Sequence, residues 1–189
     1  KQKVNKYFDY NLLFLVIFLL CFGLVMLYSS SAYIAGNRFG DSAFYYRKSL
    51  QSVNIPNKVT HIGNNAFGGC QSLSSIAISE NVSSIGEGAF SACKSLMSIT
   101  IPDGVTTIRQ RSFWYCSSLH TITLPKSLES IGDEAFMSCN SLVSIELPEK
   151  VSSIGTQAFG YCNNLKSVRI VGALKKIDAR TFYACNQLQ

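Results

Sequence analysis

The chain has 189 residues, with 17 Lys and Arg against 11 Asp and Glu, 47% hydrophobic residues and 7 Cys, which allows one or two domains and excludes wholesale disorder. A formal net charge of +6 with no cluster of basic residues points away from a nucleic-acid partner, and 2 His leave little for a metal site or His-based catalysis. The chain starts at Lys1 rather than Met and stops at Gln189 inside a repeating pattern, so it reads as a fragment.

The first predicted element is a transmembrane helix over about residues 11–31. Leu12 to Leu27 is an unbroken apolar run. With Ala32, Ile34 and Ala35 it reaches the roughly 20 residues that a bilayer requires. In hydrocarbon only a helix satisfies its own backbone within one segment. Tyr7, Phe8 and Tyr10 on one side, and Tyr28 and Tyr33 on the other, fit an interfacial aromatic belt. Lys1, Lys3 and Lys6 precede the run closely, whereas Arg38, Arg47 and Lys48 follow at a distance. The positive-inside rule then places the N-terminus in the cytoplasm and the rest outside it. The alternative is a cleaved signal peptide with Ser30-Ser31-Ala32 as the cleavage site.

From about residue 48 the chain repeats with a period of 23 residues. Ile62-Gly63-x-x-Ala66-Phe67-x-x-Cys70-x-x-Leu73-x-x-Ile76-x-Ile78 returns from Ile85, Ile108, Ile131 and Ile154, and a sixth copy runs from Ile177 to Gln189. Within each copy Ile-x-Ile predicts a short strand with one buried face. Pro102, Pro125 and Pro148 end it, because proline cannot donate to a sheet. A loop with one inward residue follows (Val82, Val105, Leu128, Val151). Ile-Gly-x-x-Ala-Phe then predicts a turn into a short helical or irregular segment. Such a unit carries too few apolar groups for its own core, so copies must stack into a solenoid with parallel strands about 4.8 Å apart. Cys70, Cys93, Cys116, Cys139, Cys162 and Cys185 share the period. Stacking brings them within disulfide range, but an in-register row aims the Cβ vectors in parallel. A buried, reduced row is expected, and no Cys-x-x-Cys pair suggests zinc.

Candidate binding positions flank the inward residues of the strand: Ser52 and Asn54, Ser75 and Ala77, Ser98 and Thr100, Thr121 and Thr123, Ser144 and Glu146, Ser167 and Arg169. Solenoids bind through such extended faces, so a protein or glycan ligand is the expected partner. Equally, Ser and Thr simply suit a solvated strand. Glu146 and Arg169 depart most from the repeat and are the first choices for specificity. Trp114, Tyr115, Tyr161 and Tyr183, just before the cysteines, could anchor a partner or pack over coil edges. Arg109 and Arg111 interrupt the third copy and read as solvated loop charges. His61 and His120 have no nucleophile beside them by motif, and no Gly-x-Ser-x-Gly, phosphate loop or His-Glu-x-x-His occurs. No cofactor and no catalysis are expected.

The motif Ile-Gly-x-x-Ala-Phe-x-x-Cys-x-x-Leu-x-x-Ile-x-Ile-Pro-x-x-Val resembles the leucine-rich repeats of the BspA-like type over residues 48–189. The resemblance implies a curved right-handed solenoid, common in bacterial surface and secreted proteins, that binds proteins or host matrix without catalytic residues. Residues 1–47 are similar to something else. Lys6-Tyr7-Phe8-Asp9-Tyr10-Asn11-Leu12-Leu13, Gly23 to Tyr33, and Phe39-Gly40-Asp41-Ser42-Ala43-Phe44-Tyr45-Tyr46 look like the first transmembrane helix and following loop of the SEDS family, the FtsW/RodA-type polymerases of peptidoglycan precursor. The later helices and acidic loop of that family have no counterpart here. Gly40 to Leu50 fits both patterns, which suggests a fusion through a shared segment and an imperfect first coil. The expected fold is therefore an N-terminal transmembrane α-helix (domain 1–47) followed by a leucine-rich-repeat solenoid (domain 48–189). The expected function is a non-catalytic, membrane-anchored binding module on the bacterial cytoplasmic membrane, its repeats facing outward. The alternative is the stub of a SEDS glycosyltransferase joined to a foreign repeat array.

Overall fold

The structure is a computed structural model that describes residues 47–189. The predicted membrane segment, residues 11–31, lies outside the described residues. Each coil contributes two short strands rather than the single one expected from sequence. The first set comprises β1 (Ser52–Asn54), β3 (Ser75–Ala77), β5 (Ser98–Thr100), β7 (Thr121–Thr123), β9 (Ser144–Leu147) and β11 (Ser167–Ile170). The second comprises β2 (His61–Ile62), β4 (Ser84–Ile85), β6 (Thr107–Ile108), β8 (Ser130–Ile131), β10 (Ser153–Ile154) and β12 (Lys176–Ile177). Every pairing is parallel and in register at one repeat, as in Ile99 with Ile122 and Ile131 with Ile154. The second set was hidden in the sequence because each member is two residues long, with one inward side chain and no alternation to detect.

The two sets are joined by a turn that uses the proline carbonyl. Pro102, Pro125 and Pro148 accept from the N–H of Val105, Leu128 and Val151 at 3.0, 3.0 and 3.1 Å. This swings those apolar side chains into the core, where each is buried. Ser79 stands where proline would be and accepts from Val82 in the same way at 3.0 Å. Proline stops the strand, but the turn itself does not need it.

The third side of the coil is neither helical nor irregular. It is a run of tight turns in which alternate N–H groups point in different directions. Ala135, Met137 and Cys139 donate back to Gly132, Glu134 and Phe136 within the coil. Glu134, Phe136 and Ser138 instead donate to Thr156, Ala158 and Gly160 of the next coil, at 2.9, 2.7 and 2.8 Å. The alternation requires two left-handed residues per coil. One column holds Asn65, Gly88, Arg111, Glu134, Gln157 and Arg180; the other holds Gly69, Ala92, Tyr115, Ser138, Tyr161 and Ala184, all at φ between 52° and 77°. Side chains with a Cβ resist this conformation by about 1–2 kcal/mol each. The hydrogen bonds along the stack hold them there.

Inside, the apolar residues form columns. Phe67, Phe90, Phe113, Phe136, Phe159 and Phe182 stack with centroids 5.2–5.5 Å apart and planes within 10°. Beside them the cysteines line up as expected. The thiols of Cys93, Cys116, Cys139, Cys162 and Cys185 each donate to the carbonyl of the Phe one coil back, at 3.1–3.2 Å. That aims every sulfur at a backbone acceptor rather than at its neighbour, and the six described cysteines are free. At the start of the described residues, Ile55 is buried and Leu50 and Val53 pack against the core; the rest of the expected imperfect coil, residues 40–46, lies outside the described residues. Arg47, in the Cys position, instead donates to the carbonyl of Gly68 at 3.2 Å.

Glycine after the second strand is a matter of contact distance. A Cβ on Gly155 would sit 2.6 Å from the Asp133 nitrogen, and one on Gly86 2.6 Å from the Gly63 carbonyl carbon. Gly155→Ala should therefore cost about 1–3 kcal/mol through overpacking. Ala92→Gly should instead gain up to about 1 kcal/mol by relieving the left-handed Cβ; urea titration of both variants checks the opposite signs. Phe136→Ala should destabilise by about 3–5 kcal/mol, whereas Thr123→Ala on the outer face should stay within about 0.5 kcal/mol of neutral. Equal shifts of the two in the same titration would contradict the facing of the strands.

Burial also fixes the thiol chemistry. It pushes Cys70 up to about 11 against an opposing pull from Arg47. It pushes Cys116 and Cys162 up to about 12, and Cys93 and Cys139 upward as well. Thiols released on unfolding ionise near 9.0. The folded pKa is the higher one, so stability is fully present below about pH 9 and falls as pH rises toward 12. At pH 8 the native chain should resist alkylation at Cys93, Cys116, Cys139 and Cys162, with half-buried Cys185 reacting first, as peptide-resolved mass spectrometry would show.

Candidate binding surface

The eight candidate residues Ser98, Thr100, Thr121, Thr123, Ser144, Glu146, Ser167 and Arg169 are all exposed, on strands whose intervening residues turn inward. Register puts them in two columns. Ser98 lies beside Thr121 and Thr100 beside Thr123; Ser144 lies beside Ser167 and Glu146 beside Arg169. Ser52 and Asn54 pair with Ser75 and Ala77 to extend the same columns. The face is thus uncharged and mostly hydroxylated from β1 to β7, and becomes ionic only at β9 and β11.

Glu146 and Arg169, singled out separately in the sequence, act on each other. Their ion pair spans 3.2 Å with side chains 60% and 75% exposed, so solvent screening leaves it little weight in stability. What it does is hold opposite charges on adjacent strands, next to a neutral stretch. The spacing of the two residues, one period apart, was the available signal. A neighbouring feature had none: Met97 is 62% exposed beside Ser98, in a column that otherwise holds Gln51, Ser74, His120, Val143, Lys166 and Gln189. His120 Nδ1 lies 3.1 Å from the Ser141 carbonyl and His61 Nδ1 2.6 Å from Thr60 Oγ1. Neither has a thiol or carboxylate beside it among these contacts. Among the described residues no group of three or more His, Cys, Asp or Glu could hold a metal ion.

On the turn side, Trp114 contacts Tyr115 with centroids 5.3 Å apart, and Tyr161 meets Tyr183 edge-on at 5.3 Å. Tyr115, Tyr161 and Tyr183 remain 41%, 39% and 48% exposed. Arg111 is no free loop charge: its guanidinium pairs with both carboxylate oxygens of Glu134, at 2.8 and 3.1 Å.

The family described as BspA type leucine rich repeat region matches residues 37–141 and 106–189 in six copies. This chain belongs to that family. Among solved structures, a leucine-rich repeat protein from Bacteroides ovatus is 38% identical with a TM-score of 0.67, over 73% of this chain and 38% of its own. This BspA-type chain therefore spans well under half of that relative's length. The T. pallidum leucine rich repeat protein is 28% identical with a TM-score of 0.60, over 74% of this chain and 78% of its own. A leucine rich cell surface protein from Faecalibacterium prausnitzii is 37% identical with a TM-score of 0.51, over 65% and 39% of the two chains. No curated protein matches. The family match reaches upstream of residue 48 and covers Gly40 to Leu50. The comparisons do not support the likeness of residues 1–47 to the SEDS family. No helix among the described residues is long and apolar enough to cross a membrane.

Proposed function

We propose that this protein is a non-catalytic binding module of the cell surface that holds a protein or glycan ligand across its strand face. The observation that carries this reading is the pair of outward columns: exposed, in register and free of bulk from Ser52 to Thr123. The F. prausnitzii relative, named as a cell surface protein, favours the same location. Residues 11–31 then anchor the chain in the bacterial cytoplasmic membrane, N-terminus inside, and hold the repeats outward. Short polar side chains contribute little contact energy apiece, so affinity comes from summing shallow contacts over several coils. Glu146 and Arg169 fix where along the array a ligand stops.

The test replaces Thr100 and Thr123 together by Arg in the full chain. Adhesion to immobilised extracellular-matrix protein should fall at least about tenfold, or about 1.4 kcal/mol, with the thermal midpoint unchanged. Undiminished adhesion would remove the strand face from consideration.

A further inference from the structure

The junction between the coil of β3 and β4 and the coil of β5 and β6 differs from its neighbours. β1 pairs with β3, β5 with β7 and β9 with β11, while β2 pairs with β4 and a four-stranded sheet joins β6 to β12. β3 does not pair with β5, nor β4 with β6, so both sheets are interrupted at the same junction. Between β7 and β9 only one side is open, since β8 pairs with β10. From Ser75 to Gly86 on one coil and from Ser98 to Arg109 on the next, no backbone hydrogen bond among the described residues crosses the gap. At the following junction, by contrast, Ile101 donates to Thr123 at 3.0 Å, and Glu129 to Thr106 and Gly132 to Ile108 at 2.8 Å.

Solvent reaches into this gap. Ile76 and Ile78, inward residues at β3, are only partly buried, whereas Ile99 and Ile101 across the gap are buried. The second-strand side also departs from its pattern here. Gly86, Gly132 and Gly155 each donate to the isoleucine one coil back at 2.8 Å, in places where a Cβ would stand 2.5–2.8 Å from a backbone nitrogen of the preceding coil. Arg109 brings a Cβ to that place and makes no such bond; the shorter Asp178 keeps its own, lengthened to 3.0 Å. The turn side, however, is unbroken on both flanks of the gap. Phe67 donates to Ala89 at 2.7 Å and Phe90 to Ser112 at 2.8 Å. The Ser112 hydroxyl reaches the Gly86 carbonyl at 3.3 Å, and the Phe90 ring stacks on both Phe67 and Phe113.

We propose that this junction is a hinge: the turn segment 86–96, bonded to the coils on both sides, is the pivot, and the two strand sides open and close against each other. The stability of a stacked array is a sum of coil and interface contributions, so the interface with the fewest bonds opens at the lowest free energy. A hinge needs only a few residues to absorb the backbone change, and the turn segment supplies them without breaking the phenylalanine column. The outward columns cross the gap from Ser75 and Ala77 to Ser98 and Thr100, so the motion changes the curvature of the strand face. The hinge itself stands whether or not that face binds.

Val105 is buried in the loop between β5 and β6, and Val151 holds the same place one period after Leu128. Val105→Cys and Val151→Cys in the full chain make the same change at the gap and away from it, and buried Cys139 is the internal clock for global unfolding. Well below the unfolding midpoint, alkylation at Val105→Cys should run at least about tenfold faster than at Cys139 of the same chain, by peptide-resolved mass spectrometry. At Val151→Cys it should run no faster than at Cys139. A metal clamp then tests the motion directly, since an ion held by both halves favours the closed form. Ala77→His with Thr100→His spans the gap on the outer face; Thr100→His with Thr123→His spans strands already paired. Nickel bound by the first pair should slow Val105→Cys to the rate of Cys139, and nickel bound by the second should not. Equal rates at Val105→Cys and Cys139 without metal overturn the proposal, as does nickel held across the gap with the Val105→Cys rate unchanged.

Discussion

The structure depends on hydrogen bonds that run along the stack, from each coil to the next on the turn side and between paired strands on the other two. A coil taken alone leaves half of its N–H groups on the turn side without a partner, and buried backbone groups cannot stay unpaired. The neighbouring coil, one period away, supplies them. This fixes the spacing near that of paired strands, and other features follow from it. Phenylalanines must stack face to face because nothing else fits at that distance. Thiols must face a carbonyl because the next sulfur lies alongside, not ahead. Gly86, Gly132 and Gly155 follow the second strand where two backbones approach within contact distance, while Arg109 and Asp178 take the same place in two other coils.

Strain is distributed by the same rule. Two residues in each coil take a conformation that most side chains resist, and the sequence meets the demand unevenly. Gly69 and Gly88 accept it without penalty. Ala92, Ser138 and Ala184 carry a Cβ against it, and Tyr115 and Tyr161 carry a ring. The hydrogen bonds of the stack are strong enough collectively to override residue preference, which is why these columns show no consensus residue. Where the residue is large, exposed and strained at once, packing does not account for it.

Much of the repeat region was legible because period and burial leave a chemical mark. Ile, Leu, Phe and Cys return at fixed positions, so the inward columns, the first strand and the thiol row could be read directly. The second strand could not, since one inward isoleucine followed by glycine looks like a turn. The left-handed columns were invisible for the reason just given. At the binding surface, exposure of Ser98, Thr100, Thr121 and Thr123 followed from alternation, but the pairing of Glu146 with Arg169 and the protrusion of Met97 depend on what lies one coil away. Residues 11–31 carry a clear hydropathy signal that falls outside the described part of the fold.

The row of protected thiols has a consequence for how the chain reaches its native form. Once stacked, the sulfurs from Cys70 to Cys162 are shielded and undissociated, so an oxidising milieu does that part of the finished solenoid little harm. Before stacking, those groups are ordinary thiols at regular intervals along a loose strand of polymer, and any cross-link between them would fasten two coils in a geometry the stack cannot accept. Contacts that reach no further than the adjacent coil let assembly proceed locally and quickly. The short range of those contacts therefore guards the sulfur chemistry as much as it builds the shape.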